Sequence, residues 1–247
     1  MEQIYTIPVN EAFEKVREED SHTCPFCLMY NRLDDNELDL ILGASMMEPD
    51  VRQKTNALGF CPEHLSLLFE RGKRLPLALM LESHLDSLAD DLSGNMSSLF
   101  IAKTGENSIK RLEKLETSCY VCERIEYNFS RMVETAALLW QKDESFRQKV
   151  EEAPYFCLRH YGRFLAAGKE RLAKKEFAEF YKQVSAVENR YFDKLRADVS
   201  WFCKKFDYRY ENEPWGDAKD APERAHEFLS GSLHQHEDTA KASDGLT

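Results

Sequence analysis

Cys24-Pro25-Phe26-Cys27 is followed, after 33 intervening residues, by Cys61-Pro62-Glu63-His64; Cys119-Tyr120-Val121-Cys122 is followed, after 34, by Cys157-Leu158-Arg159-His160. The two copies are offset by 95 residues at the first pair and by 96 at the second. Arg52-Gln53-Lys54 matches Arg147-Gln148-Lys149 at 95, Gly72-Lys73 matches Gly168-Lys169 at 96, and Phe60, Leu65 and Leu68 fall on Phe156, Tyr161 and Phe164. This is the pattern of an internal duplication with one inserted residue between Lys149 and Cys157.

Proline directly after the first ligand in Cys24-Pro25 and Cys61-Pro62 suits the first turn of a helix, where its fixed φ and missing N–H cost nothing. Residues i and i+3 share a helical face, so one turn can aim both side chains at one ion, and the helix dipole there favours thiolate. Two such turns make a Cys3His set, a tetrahedral ligand set for Zn2+ with Zn–S of about 2.3 Å. Tyr120 and Leu158 stand where the first copy has proline. The ligand residues Cys24, Cys27, Cys61, His64, Cys119, Cys122, Cys157 and His160 thus predict two Zn2+ per chain. Iron–sulfur ligation remains the alternative metal reading. A dithiol redox reading of the Cys-x2-Cys pairs lacks a βαβ pattern and leaves the third Cys and the His unused. Covalent haem would need a His directly after Cys-x2-Cys, which neither copy has.

The composition agrees with helices. The chain has 247 residues, 10 Gly, 8 Pro and a net charge of −11, and Leu outnumbers Val and Ile together. The negative charge disfavours nucleic acid and anionic membrane as partners. Ten acidic and four basic residues of segment 206–247 carry −6 of it, so the body is less repelled than the whole-chain figure suggests. The amino terminus has no signal-peptide pattern and no window approaches a membrane span, so the chain reads as cytoplasmic, with reduced thiols.

The expected fold is all-α: duplicated helical repeats, each clipped by a CxxC…CxxH site, with a long carboxyl-terminal helix packing across both. The repeats occupy 1–104 and 105–205, a Trp-Gly latch 206–230 and a disordered tail 231–247. Helices are expected over Glu11–Glu19 capped by Asn10, from Cys24 to Leu42, up to Leu58, from Cys61 to Gly72, and from Leu75 to Leu92, ended by Ser93-Gly94-Asn95. The second copy gives 107–116, 120–141, 144–152 and 157–167, Gly72 and Gly168 serving as carboxyl caps. Phe177, Phe180, Val184, Val187, Tyr191, Leu195, Val199 and Phe202 form the stripe of the long helix. Cys203 continues it as a buried cysteine. Glu213-Pro214-Trp215-Gly216 reads as a turn docked on the body, with a short helix near Pro222 to Leu229.

Other features carry bland readings. Glu223-x2-His226 has di-iron spacing but is a lone copy; His234-x-His236 sits in the tail; His22 and His84 read as surface or half-buried residues. Met46 and Met47 read as core packing, with an adaptable binding surface at the entrance to the next helix as the alternative.

Cys24-Pro25-Phe26-Cys27, Met46-Met47-Glu48-Pro49-Asp50-Val51-Arg52, Thr55-Asn56-x2-Gly59-Phe60-Cys61-x2-His64 and Pro214-Trp215-Gly216-Asp217-x-Lys219-Asp220-Ala221 together resemble a bacterial family known only as a domain of unknown function. The likeness spans about residues 5 to 231. It implies a bacterial, mainly helical protein and supplies no activity.

Nucleotide-binding glycine loops and a nucleophile elbow are missing. Four protein ligands per ion leave no coordination position for a hydrolytic water, so no catalytic residue is assigned. The expected role is a zinc-stabilised scaffold or adaptor that binds another protein. A thiol/zinc redox switch, in which CxxC pairs release metal on oxidation, is the alternative, and a zinc enzyme ranks third.

Overall fold

A computed structural model describes residues 3–18, 23–93 and 101–233. Among these the chain forms eleven α-helices and no strand: α1 (Thr6–Glu18), α2 (Pro25–Ile41), α3 (Pro49–Leu58), α4 (Pro62–Glu70), α5 (Arg74–Ser93), α6 (Ile101–Thr117), α7 (Tyr120–Lys142), α8 (Glu144–Glu152), α9 (Leu158–Arg171), α10 (Lys174–Lys204) and α11 (Ala221–Ser230). The all-α expectation holds. No described helix is long and apolar enough to cross a membrane. Gly94, Asn95, His22, His234, His236 and the tail from 234 onward lie outside the described residues.

Several boundaries differ from the sequence expectation. α1 begins at Thr6, so Asn10 lies inside it, and its side-chain amide donates to the Thr6 carbonyl (3.1 Å) instead of capping. Gly59 (φ 63°) and Gly72 (φ 70°) do end α3 and α4 in the left-handed region. Gly168 does not end α9, which runs on to Arg171. A Cβ on Gly168 would lie 2.4 Å from Phe180 Cε1, so glycine is required there by the close approach of α9 and α10. Arg52 and Arg147, 95 residues apart, both hold backbone carbonyls: Arg52 those of Met46 (2.8 Å) and Leu79 (3.0 Å), Arg147 those of Trp140 (2.5 Å) and Gln141 (2.9 Å).

The chain divides into two compact units. Unit 1 is Met1–Asn31 with Phe129–Thr247, and unit 2 is Arg32–Asn128, the boundaries falling inside α2 and α7. In unit 1, α1 packs on α8, and α10 packs on α8, α9 and α11. Among the described residues the main helical partners of the long helix are thus α8, α9 and α11. Its core is aromatic: Phe13, Phe26, Phe146, Phe156, Phe164 and Phe180 are fully buried, with ring centroids of Phe26 and Phe164 4.9 Å apart and of Phe164 and Phe180 4.8 Å. Such contacts add to the area term that drives burial.

The end of α10 is held by the segment after it. Lys205, itself buried, donates to the carbonyls of Tyr210 (2.6 Å), Glu211 (2.9 Å) and Glu213 (2.6 Å), and Trp201 Nε1 donates to Pro214 (3.1 Å). Trp215 packs against Phe202 at 5.6 Å. Cys203 is exposed, which corrects the buried reading: Phe202 carries the stripe to Trp215, and the next residue, about 100° round the helix, faces solvent.

Unit 2 has a mainly aliphatic core of Leu38, Ile41, Leu42, Leu67, Leu68, Leu77, Met80, Val121 and Ile125. α5 packs on α3, α4 and α6. Met47, 65% exposed, is not core, which corrects that half of the methionine reading.

Candidate metal centres

All four ligand pairs sit where a helix begins. Cys61 and Cys157 are the N-cap residues of α4 and α9, with extended backbone (φ −67°, ψ 161° and φ −60°, ψ 150°). Cys24 and Cys119 immediately precede α2 and α7, and their carbonyls accept the first helical N–H bonds, from Cys27 (3.0 Å) and Glu123 (3.0 Å). The helix starts survive in the second copy although it lacks both prolines. Side chains of an N-cap residue and of the residue three later face the same way, beside the positive end of the dipole.

The structure brings the eight ligands into two quartets, and each mixes the two copies. Cys24, Cys27, Cys157 and His160 meet in unit 1; Cys61, His64, Cys119 and Cys122 meet in unit 2; within each quartet the ligand atoms lie within 4.8 Å of one another. The expectation that each repeat is clipped by its own CxxC…CxxH site is therefore corrected: the pairing is crossed. Helix geometry supplies the reason. Asp34 Oδ1 accepts a hydrogen bond from His64 Nε2 (3.1 Å), and Asp34 lies ten residues, about 15 Å of helix rise, beyond Cys24 on α2. A histidine that meets Asp34 cannot also share an ion with Cys24.

Local contacts complete each pairing. In unit 2 the carboxyl end of α3 binds the chain just before α7: Tyr120 N donates to Gly59 O (3.0 Å), Ser118 Oγ to Leu58 O (2.7 Å), and Arg111 to Asn56 O (2.5 Å) and Ala57 O (2.6 Å). That places Cys119 beside Cys61. In unit 1 the rings of Phe26 and Phe156 approach to 5.7 Å, and Phe156 N donates to Glu188 (3.2 Å), which places Cys157 beside Cys27.

The separations fit one ion. Bonds of about 2.3 Å to sulfur and 2.0–2.1 Å to nitrogen at tetrahedral angles require S···S of about 3.8 Å and S···N of about 3.6 Å. Observed are Cys27–Cys157 3.7 Å and Cys61–Cys122 3.9 Å between sulfurs. His160 Nδ1 stands 3.9, 3.4 and 3.2 Å from Cys24, Cys27 and Cys157, and His64 Nδ1 stands 3.1, 3.4 and 3.2 Å from Cys61, Cys119 and Cys122. All these cysteines are free thiols, their sulfurs far beyond the roughly 2.05 Å of a disulfide. Both quartets therefore offer three sulfurs and one Nδ1 to a single metal ion.

Crowding splits the thiol acidities in the same sense in both quartets. Hydrogen bonds from Cys24 and Cys27 hold Cys157 far below the ordinary thiol range, while burial raises Cys24 and the Cys157 interaction pushes Cys27 up to about 12. In unit 2, the hydrogen bond from Cys122, helped by His64, lowers Cys119 to about 3, and Cys122 rises in exchange. One thiolate held by its neighbours' protons is the arrangement a dication completes by displacing those protons. His64 is pulled down by desolvation, but hydrogen bonds with Asp34 and Cys119 outweigh it and raise it to about 11.

Beyond the ligands the two centres part. At the 95-residue offset Asp34 corresponds to Phe129. Both side chains lie against the histidine of their quartet: Asp34 as acceptor for His64 Nε2, Phe129 as a ring 5.1 Å from that of His160. His160 Nε2 is buried and has no hydrogen-bond partner among the described residues. Unit 1 adds a cover. Gly231, buried and at φ 87°, follows α11, and a Cβ there would lie 3.4 and 3.5 Å from the sulfurs of Cys157 and Cys27. The Ser232 N–H bonds to the Cys27 sulfur, and Asn31 Nδ2 holds the Ser232 carbonyl (2.8 Å).

Asp34, Phe129, Gly231 and Ser232 escaped the sequence reading. Asp34 is one of four acidic residues between 34 and 39, and only alignment of the copies beyond the ligands could single it out. Glu223 and His226, the di-iron-like pair, belong to neither quartet.

The sequence matches, over residues 1–236, a family described as "Family of unknown function (DUF6062)". The chain belongs to that family. No curated protein matches it, and no solved structure does. The match spans both quartets and the Gly231–Ser232 cover.

Proposed function

We propose that this member of the family is a non-enzymatic helical scaffold, closed by two structural Zn2+ ions and presenting its surface to a protein partner. The observation that carries the reading is the pair of crossed Cys3His quartets, because each fills a tetrahedral shell with protein atoms and leaves no position for substrate or water. Cys24, Cys27, Cys157 and His160 would hold one ion, and Cys61, His64, Cys119 and Cys122 the other. Four donors within 4.8 Å of one another enclose a single ion and leave no room for the bridging sulfides of an iron–sulfur cluster, which favours zinc. The ions' contribution is structural: each joins two helix starts that are far apart in the chain, with an apparent stabilisation of about 10 kcal/mol or more at neutral pH. Thiol quartets of this kind persist in a reducing compartment, which supports a cytoplasmic setting.

Elemental analysis of the purified full chain tests the reading. Two zinc per chain are expected. A chain without metal, or one with iron and inorganic sulfide, contradicts it.

A further inference from the structure

We infer that the unit 2 quartet is a hydroperoxide-reactive site that surrenders its metal on oxidation, whereas the unit 1 quartet, with the same ligand types, is protected. The inference rests on the two-metal reading above and goes beyond it, because it gives the two ions different chemistry.

Access separates the two. Cys24, Cys27 and Cys157 are 0% exposed and His160 1%, while Cys61 and Cys122 are both half-buried and keep contact with solvent. The Gly231–Ser232 backbone lies over the unit 1 sulfurs and donates an N–H to Cys27, which draws charge from that thiolate and blocks approach. In unit 2 the two accessible sulfurs are also the pair 3.9 Å apart. Oxidation there needs the sulfurs to close by about 2 Å to reach disulfide length.

The step balances with a hydroperoxide as oxidant. One of the two thiolates attacks a peroxide oxygen; the O–O bond breaks, giving a sulfenic acid and, from hydrogen peroxide, hydroxide. The second thiolate attacks the sulfenic sulfur, the S–S bond forms, and a second hydroxide leaves. Both hydroxides take protons from solvent as water. The two sulfurs are oxidised and the peroxide is reduced. Only His64 and Cys119 then remain as ligands, too few to retain the ion.

The test uses the full chain carrying Cys203→Ser, which removes an exposed cysteine outside both quartets. Metal content is measured first, then hydrogen peroxide is added in the presence of a chromogenic chelator, and disulfides are mapped by mass spectrometry. The expected result is release of one of two metal equivalents with a Cys61–Cys122 disulfide, the second leaving at least about tenfold more slowly. Equal release rates, release from unit 1 first, or no release overturns the inference while leaving the two-metal reading intact. A chain with no metal at the outset overturns both. N-Ethylmaleimide mapping of the native chain gives an independent readout: Cys61 and Cys122 modified ahead of Cys24, Cys27 and Cys157 agrees with the inference, and the reverse order contradicts it.

Discussion

The two candidate metal centres have the same donor residues, the same helix-start geometry and different surroundings. In unit 1 the four ligands are sealed by aromatic rings and by the Gly231–Ser232 backbone, the His160 ring lies 5.1 Å from that of Phe129, and its Nε2 has no hydrogen-bond partner among the described residues. In unit 2 two cysteines are only partly buried, and the outer nitrogen of His64 donates to buried Asp34. The two quartets share what an ion must touch and differ in what lies around it. Carboxylate behind a metal-bound histidine fixes its tautomer and strengthens its donation; a ring in the same place gives packing instead. At one aligned position, Asp34 against Phe129, one histidine thus meets a carboxylate and the other an aromatic ring.

The largest effects should come from the ligands themselves. Cys61→Ser should cost one metal equivalent and, with an apparent stabilisation of about 10 kcal/mol at stake, unfold unit 2. Hydrogen exchange would show lost protection in α3, α4 and α5 while α8, α9 and α10 keep theirs. Cys157→Ser should give the converse. If either substitution melts both sets of helices, the units do not stand as separate metal-dependent bodies.

Next come the residues behind the histidines. Phe129→Ala should destabilise unit 1 by about 3–5 kcal/mol through its cavity, read from chemical denaturation, with two metal ions still bound. Asp34→Asn should leave the fold and instead weaken one of the two ions by about 10–100-fold in chelator competition. Equal behaviour of the two variants would erase the distinction between the two centres.

The smallest effects concern the aligned glycines. Gly168→Ala must displace Phe180 and should cost about 1–3 kcal/mol in unit 1. Gly72→Ala meets no neighbour within 4 Å but sits at φ 70°, and should cost about 1–2 kcal/mol in unit 2. A neutral Gly168→Ala would contradict the close approach of α9 to α10.

Much of this architecture is legible in the residues. The spacing marks all eight members of the two quartets and the helix starts, because i, i+3 placement and an N-cap turn are local. The 3- and 4-residue stripe of α10 likewise marks Phe180, Val184, Val187 and Leu195 as buried. Three things were not local. Crossed pairing depends on how far α2 and α7 run beyond their cysteines before meeting the CxxH helices. Gly168 looked like a cap because Gly-Lys at a helix end and glycine under a phenylalanine read alike in sequence. Asp34 and Phe129 gain their meaning only from the histidines they face, which lie 30 and 31 residues further along the chain.

Crossed pairing is the central claim, and metal stoichiometry of one double variant tests it most directly. Cys24→Ser combined with Cys157→Ser removes a ligand from each sequence repeat but, in the crossed arrangement, both from the unit 1 quartet. Starting from two metal ions in the native chain, the double variant should retain one, held by Cys61, His64, Cys119 and Cys122. Loss of both ions from a variant whose unit 2 helices remain protected from hydrogen exchange would show that each repeat closes its own site, and would contradict the account.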